Sequence, residues 1–340
     1  MTAIHIFPEA ASSQLSCPEP GDKAKAHHAI MVVKKGENAG QGELKMPEKQ
    51  SHMPEVPFGP HTISRLIVGG NQQIGASHAS GDMSKHMLEY FTLEQTVEFL
   101  RSCTAQGINT WQSNYGEKSR AALFKLRDEG ETLNMLPLSA PQVTGLDNER
   151  LRPALERMEG TWDRMMEEYK PIGVFLWGML TDVLWREGKI DMARDFLAKA
   201  RDTGVQVGVA THIPEVIEYI EEKDWDVDFY MASLYKWMKS REEILAILPE
   251  IPVDGHQGWE FYLPSELPRM CDTIRQTPKT CLAFKLFAAG RTSTTPEQVS
   301  EVFEFVLGHI KPTDAVVVGM YPRFADQMVK ENADLVKKFG

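Results

Sequence analysis

Two side chains are placed where they could do proton chemistry. His212 ends the apolar run VQVGVATH just before a proline, and Lys285 interrupts the otherwise apolar CLAFKLFAAG. A histidine titrates near neutrality and exchanges protons readily. A lysine inside an apolar strand must point into a pocket or find a buried partner, and burial would lower its pKa toward proton transfer or imine chemistry. For His212 the alternative is a hydrogen bond to a loop; for Lys285 it is an ion pair with Asp228 on the neighbouring strand. Two arginines beside glycines, Gly290 with Arg291 and Gly319 with Arg323, are suited to an anionic phosphate by charge and fork geometry, or else are solvated surface groups.

These residues need a scaffold, and the chain supplies a periodic one. From Ile63 onward, eight continuous Val, Ile, Leu and Phe runs are each followed by a segment of helical period, as in ISRLIVGG before TLEQTVEFLRSCTAQG. Unbroken apolar strands are what parallel strands covered on both faces look like. The count and length predict a (β/α)8 TIM barrel over residues 53–340, with a doubly wound open sheet as the alternative; no GxGxxG follows the first strand. Residues 1–52 read as a flexible extension. Seven of the twenty prolines lie before His61 and all seven tryptophans after Tyr90, so the leader is poor in core-forming groups; a short strand near Met31–Val33 is its one candidate element.

A barrel carries its active site at the C-terminal ends of its strands. There the sequence places Asn71 and Gln72, then Gln112, Asn114 and Tyr115, then Ser139 and Gln142, Trp177, His212, Tyr235 and Trp237, Lys285, and Tyr321. This rim is rich in amides and aromatics and short of carboxylates, unlike the mouth of a glycosidase. Asp182 reads as a first-turn carboxylate of the fourth helix. Asn71, Gln112, Asn114, Trp177 and Trp237 suit the hydroxyls and faces of a sugar-like substrate. The reading assigns no metal; a divalent ion on His78, His86, His212 and His256 is the alternative to ordinary loop histidines.

Composition excludes other classes. Thirty-seven basic against 48 acidic side chains leave a charge of −11, with no basic run longer than two residues, which argues against nucleic acid. No apolar stretch approaches the roughly 20 residues of a membrane span. Four cysteines without CxxC spacing, and an N-terminus without a cationic and apolar signal, predict free thiols in a cytoplasmic protein. Its expected partner is a small-molecule substrate.

Over about residues 53 to 340 the chain resembles the aldo-keto reductase superfamily. PFGPHTISRLIVGG is similar to that family's N-terminal hairpin and first strand, GINTWQSNYG to its second-strand motif, and VVVGMYPRFADQMVKEN to its eighth strand and following Glu-Asn helix. The resemblance implies an NADP(H)-dependent oxidoreductase acting on a carbonyl, with cofactor contacts at Gly290, Arg291, Gly319, Arg323 and Asn332. The family's catalytic Asp, Lys and His positions are occupied here by Gln112, by Ser139 or Ala140, and by Trp177 or Gly178, and Tyr115 matches the catalytic tyrosine only by a shortened loop. Either Tyr115 or Tyr235, assisted by His212 and Lys285, replaces the lost relay, or the barrel is a lyase, isomerase or hydrolase using His212 and Lys285 on a carbohydrate-like ligand. A ligand-binding barrel without catalysis is the third reading.

Overall fold

Strand pairing closes on itself. In the computed structural model, which describes residues 52–139, 149, 151–236, 239–247 and 261–340, eight parallel strands form one barrel. They are β3 Leu66–Gly69, β4 Thr110–Ser113, β5 Asn134–Ser139, β6 Gly173–Leu176, β7 Gln206–Thr211, β8 Phe229–Ser233, β9 Thr280–Phe284 and β10 Ala315–Gly319. The ring is completed where β10 pairs with both β9 and β3, with Val317 opposite Phe284 and Ile67. That closure removes the open-sheet alternative. The expected extension over residues 1–52, with its candidate strand, lies outside the described residues apart from His52.

An antiparallel hairpin, β1 Glu55–Phe58 and β2 His61–Ser64, precedes the barrel. Asn109 and Asn134, at the starts of β4 and β5, both donate to Thr62 O (3.3 Å), and Asn109 Oδ1 accepts from Ser64 N (2.7 Å). Val56, Phe58 and Ile63 join Ile67, Leu136, Phe175, Phe229, Met231 and Leu282 in one buried cluster inside the barrel. The hairpin therefore plugs the N-terminal end and leaves the C-terminal end as the mouth.

The helices are α1 Gly81–Tyr90, α2 Leu93–Ala105, α3 Glu117–Asp128, α4 Arg152–Tyr169, α5 Gly178–Arg186, α6 Ala193–Arg201, α7 Pro214–Glu222, α8 Arg241–Ile247, α9 Glu266–Gln276, α10 Pro296–His309 and α11 Met328–Phe339. Their apolar stripes meet outward strand residues such as Val68, Trp111, Val174, Val209 and Val316 in a second, larger cluster. Two details differ from the periodicity. The segment after β6 is broken at Gly188 (φ 66°) into α5 and α6, because that backbone conformation ends a helix. Helix α1 stands in the long connection after β3; it has no buried residue, so no apolar stripe announced it.

Inside the barrel, Phe229 is wedged edge-on between Phe58 and Phe175, with centroids at 4.8 and 6.4 Å. A Cβ on Gly208 would lie 2.5 Å from the Phe229 ring. Gly208→Ala is expected to destabilise the protein by about 1–3 kcal/mol in urea unfolding, as overpacked cores do; an unchanged midpoint would show that the ring can yield.

Candidate active site

At the mouth, alternation along β7 turns Ala210 inward and aims His212 the same way. Its ring packs edge-on against Phe284 of β9 (centroids 5.3 Å). Helix α5 begins directly after β6 and runs back beside β7, which brings Asp182 beneath the histidine. Asp182 Oδ2 accepts from His212 Nδ1 (2.7 Å), while Oδ1 accepts from the Thr211 hydroxyl (2.7 Å) and from His212 N (3.2 Å). Both residues are buried, at 3% and 5% exposure. The first-turn reading of Asp182 is thus corrected: it is the orienting partner of His212. A histidine ending a strand one βα unit after an aspartate near a helix start is the signal that could have paired them.

The carboxylate places the ring proton on Nδ1, so Nε2 is the nitrogen through which His212 exchanges protons with anything else. Burial holds the imidazole below its ordinary pKa, opposed by Asp182 and reinforced by the nearby Lys285 and His78. The result is a neutral, oriented base.

Lys285 follows β9 in the left-handed region (φ 62°), and Ala288 and Ala289 (φ 46° and 54°) share that conformation ahead of Gly290 (φ 94°). Non-glycine residues there cost about 1–2 kcal/mol each, strain of the kind concentrated at functional sites. Lys285 Nζ donates to His78 Nε2 (3.0 Å), not to Asp228, which instead takes Arg201 Nη1 (2.6 Å) and Val207 N (2.7 Å). The connection after β3 therefore crosses the β10 end, where the Gln72 side chain covers Gly319, and reaches the β9 loop. His78 is a member of the site that sequence reading had set among ordinary loop histidines.

Tyr262 sits against this group: Lys285 and Arg291 lie 5.9 and 4.5 Å from its ring centroid, and Tyr235 packs on it edge-on (5.6 Å). Burial pushes the Tyr235 phenol up to about 12. Arg291 is exposed and donates to Ala288 O (3.1 Å) and His78 O (3.4 Å). Nothing lies within 4 Å of where a Gly290 Cβ would be, so an anion can approach that backbone.

The remaining candidates fall elsewhere. Tyr115 donates to Glu168 (2.5 Å), and burial and that carboxylate raise its pKa, so it faces α4 rather than a lysine or histidine. Asn114, Tyr115, Ser139 and Trp177 line a hollow on the β4 to β6 side of the mouth. Gln112 alternates with the outward Trp111 and so turns into the barrel, and Asn71 is exposed. Arg323 is exposed against Tyr90 and Phe324, and Asn332 is buried on the inner face of α11. Trp237, Gln142 and His256 lie outside the described residues. His86 takes the Tyr321 hydroxyl (2.8 Å) and stacks on Phe324, away from the Lys285 contact of His78; among the described residues no three His, Cys, Asp or Glu side chains converge as metal ligands. Also among these residues, no helix is long and apolar enough to cross a membrane.

No protein-family profile matches the chain, and no curated sequence matches it significantly. Its likeness is to solved barrels. Two structures described as "putative aldo-keto reductase" from Pseudomonas aeruginosa superpose with TM-scores of 0.52 and 0.53 at 14% and 15% identity. They cover 85% and 87% of this chain and 96% and 100% of their own. At that identity the likeness is one of fold, and the fold is the (β/α)8 barrel that the sequence resemblance implies.

The dyad makes a thermodynamic prediction. A histidine kept neutral in the fold but free to ionise when unfolded makes the unfolded state the one that binds more protons, so stability declines as pH falls below about 6.5. Wild type is expected to lose more stability than His212→Gln between pH 7 and 5 in parallel urea titrations; equal slopes would contradict the neutral assignment. Asp182→Ala, which strands three donors, is expected to cost roughly 3 kcal/mol at pH 7.

Proposed function

We propose that this chain is a divergent oxidoreductase of the aldo-keto reductase type, acting with NADP(H) on the carbonyl or alcohol of a small, sugar-like molecule. In this reading the His212–Asp182 pair and Lys285 perform the proton transfer that the family assigns to other residues. The observation that carries it is the buried, neutral histidine oriented by a carboxylate at the barrel mouth, its ring against Phe284, the residue before a lysine held in strained backbone. Such a constellation is costly to maintain for packing alone.

The loops after β9 and β10 fit the phosphate end of a dinucleotide. Gly290 leaves open backbone, Arg291 and Arg323 are exposed cations, and Thr295 caps α10 just beyond. Bound there, NADP(H) would supply the hydride. The chain's own residues would do the rest. Lys285 would polarise the carbonyl oxygen and donate a proton to it, with His78 Nε2 fixing the ammonium by accepting one of its hydrogen bonds and solvent reprotonating the amine left behind. In the oxidative direction the same lysine, as the neutral amine, would take the hydroxyl proton, with His212 as the base that accepts it onward and Asp182 stabilising the imidazolium formed. Tyr235, with its pKa near 12, would contribute shape and a hydrogen bond rather than the proton. Buried free thiols at Cys103, Cys271 and Cys281 suit a reducing cytoplasm.

A second reading is favoured by Gln112, by Ser139 or Ala140, and by Trp177 or Gly178 standing where the family keeps its Asp, Lys and His. It is a lyase, isomerase or hydrolase on a carbohydrate-like ligand, with the same dyad and lysine but no nicotinamide. Titration with NADPH, followed by cofactor fluorescence and melting temperature, separates the two. Saturation at 100 times the dissociation constant should stabilise the protein by about 2.7 kcal/mol, and Arg291→Ala should weaken binding about tenfold. No response at millimolar NADPH would remove the redox reading and leave the second.

A further inference from the structure

The hollow beside the mouth has a composition unlike the catalytic group. It measures about 220 Å³ and lies between the ends of β4 to β6 and one stripe of α4. Helix positions 154, 157, 158, 161, 162 and 165 follow the i, i+3, i+4 spacing of one helical face, so a single turn-to-turn surface forms its outer wall. Half-buried Trp177 and Met158 offer an indole and a thioether at its wall, with the buried Trp162 and Met165 behind them, and thioethers pack favourably on aromatic rings.

Three of the polar groups inside it already have partners within the chain. Ser139 donates to Phe175 O (3.0 Å), Thr161 donates to Arg157 O (2.9 Å), and Asn114 Oδ1 accepts from Ser119 (3.2 Å). A sugar ring, which needs several partners for its hydroxyls, is poorly served here, whereas a flat apolar ring is well served. Arg157 stands exposed on the same helical stripe at the edge, with no carboxylate partner among the described residues. Its guanidinium can take a carboxylate bidentately. The volume exceeds the engineered cavity of about 150 Å³ that accepts benzene, which leaves room for a ring and a short acidic arm.

We infer that this hollow is a binding site for a small monocyclic aromatic carboxylate, its ring against Trp177 and Met158 and its acid on Arg157. Trp177 immediately precedes Gly178, which packs on the His212 ring, so the ligand would lie next to the dyad. The site does not depend on hydride chemistry.

The test is titration of the full chain with sodium phenylacetate, and separately with the neutral phenylacetamide, followed by tryptophan fluorescence. Saturable responses to both are expected, with phenylacetate the tighter. Arg157→Gln, an exposed change that leaves the wall intact, is expected to weaken phenylacetate about tenfold and leave phenylacetamide unaltered. Ala154→Phe, which fills the hollow, is expected to abolish both responses. No saturable response to phenylacetate, equal effects of Arg157→Gln on the two probes, or undiminished binding to a folded Ala154→Phe variant would each overturn the assignment.

Discussion

A carboxylate removed from water must be met by donors, and in this barrel Asp182 is met by three: the Thr211 hydroxyl, the His212 amide and the His212 ring. The arrangement at the mouth depends on that contact. It fixes which histidine nitrogen carries the proton, ties α5 to the end of β7, and sets the ring against Phe284. Because the imidazole is buried and has Lys285 nearby, the carboxylate orients it without holding it charged. Orientation and neutrality together make a base out of what would otherwise be a loop histidine.

The rim divides into two halves of different chemistry. One half, from β7 through β9 to the connection after β3, gathers His212, Lys285, His78, Tyr262 and Arg291. The other, from β4 to β6, holds amide, hydroxyl and indole groups and opens into the hollow against α4. The family resemblance would put reactive groups in the second half; the titratable cluster stands in the first. Strain follows the same division, since the left-handed Lys285, Ala288 and Ala289 all lie in the β9 loop.

Much of the architecture is legible in the sequence because parallel strands and amphipathic helices have separate periods. The eight units follow from that, whereas the hairpin before the first strand is legible only through the family resemblance. Helix α1 escapes the pattern because it buries nothing, and the break at Gly188 needs a backbone angle that periodicity does not carry. His212 and Lys285 stood out as polar interruptions of apolar runs. Their partners did not: Asp182 and His78 are 30 and 207 residues away and meet them only through barrel closure and the strap after β3. Tyr115 fits a motif position, yet its hydroxyl is claimed by Glu168 on α4, a contact no local pattern encodes.

The central claim is that His212 is a neutral base with its proton held on Nδ1 by Asp182. Nitrogen-15 NMR of the histidine-labelled protein, with His212 assigned by comparison with His212→Gln, tests it most directly. A neutral Nδ1–H tautomer that is still neutral below pH 6.5 is expected, with a tautomer shift in Asp182→Asn. A ring titrating near 6.5, or one protonated on Nε2 with Asp182 intact, would contradict it.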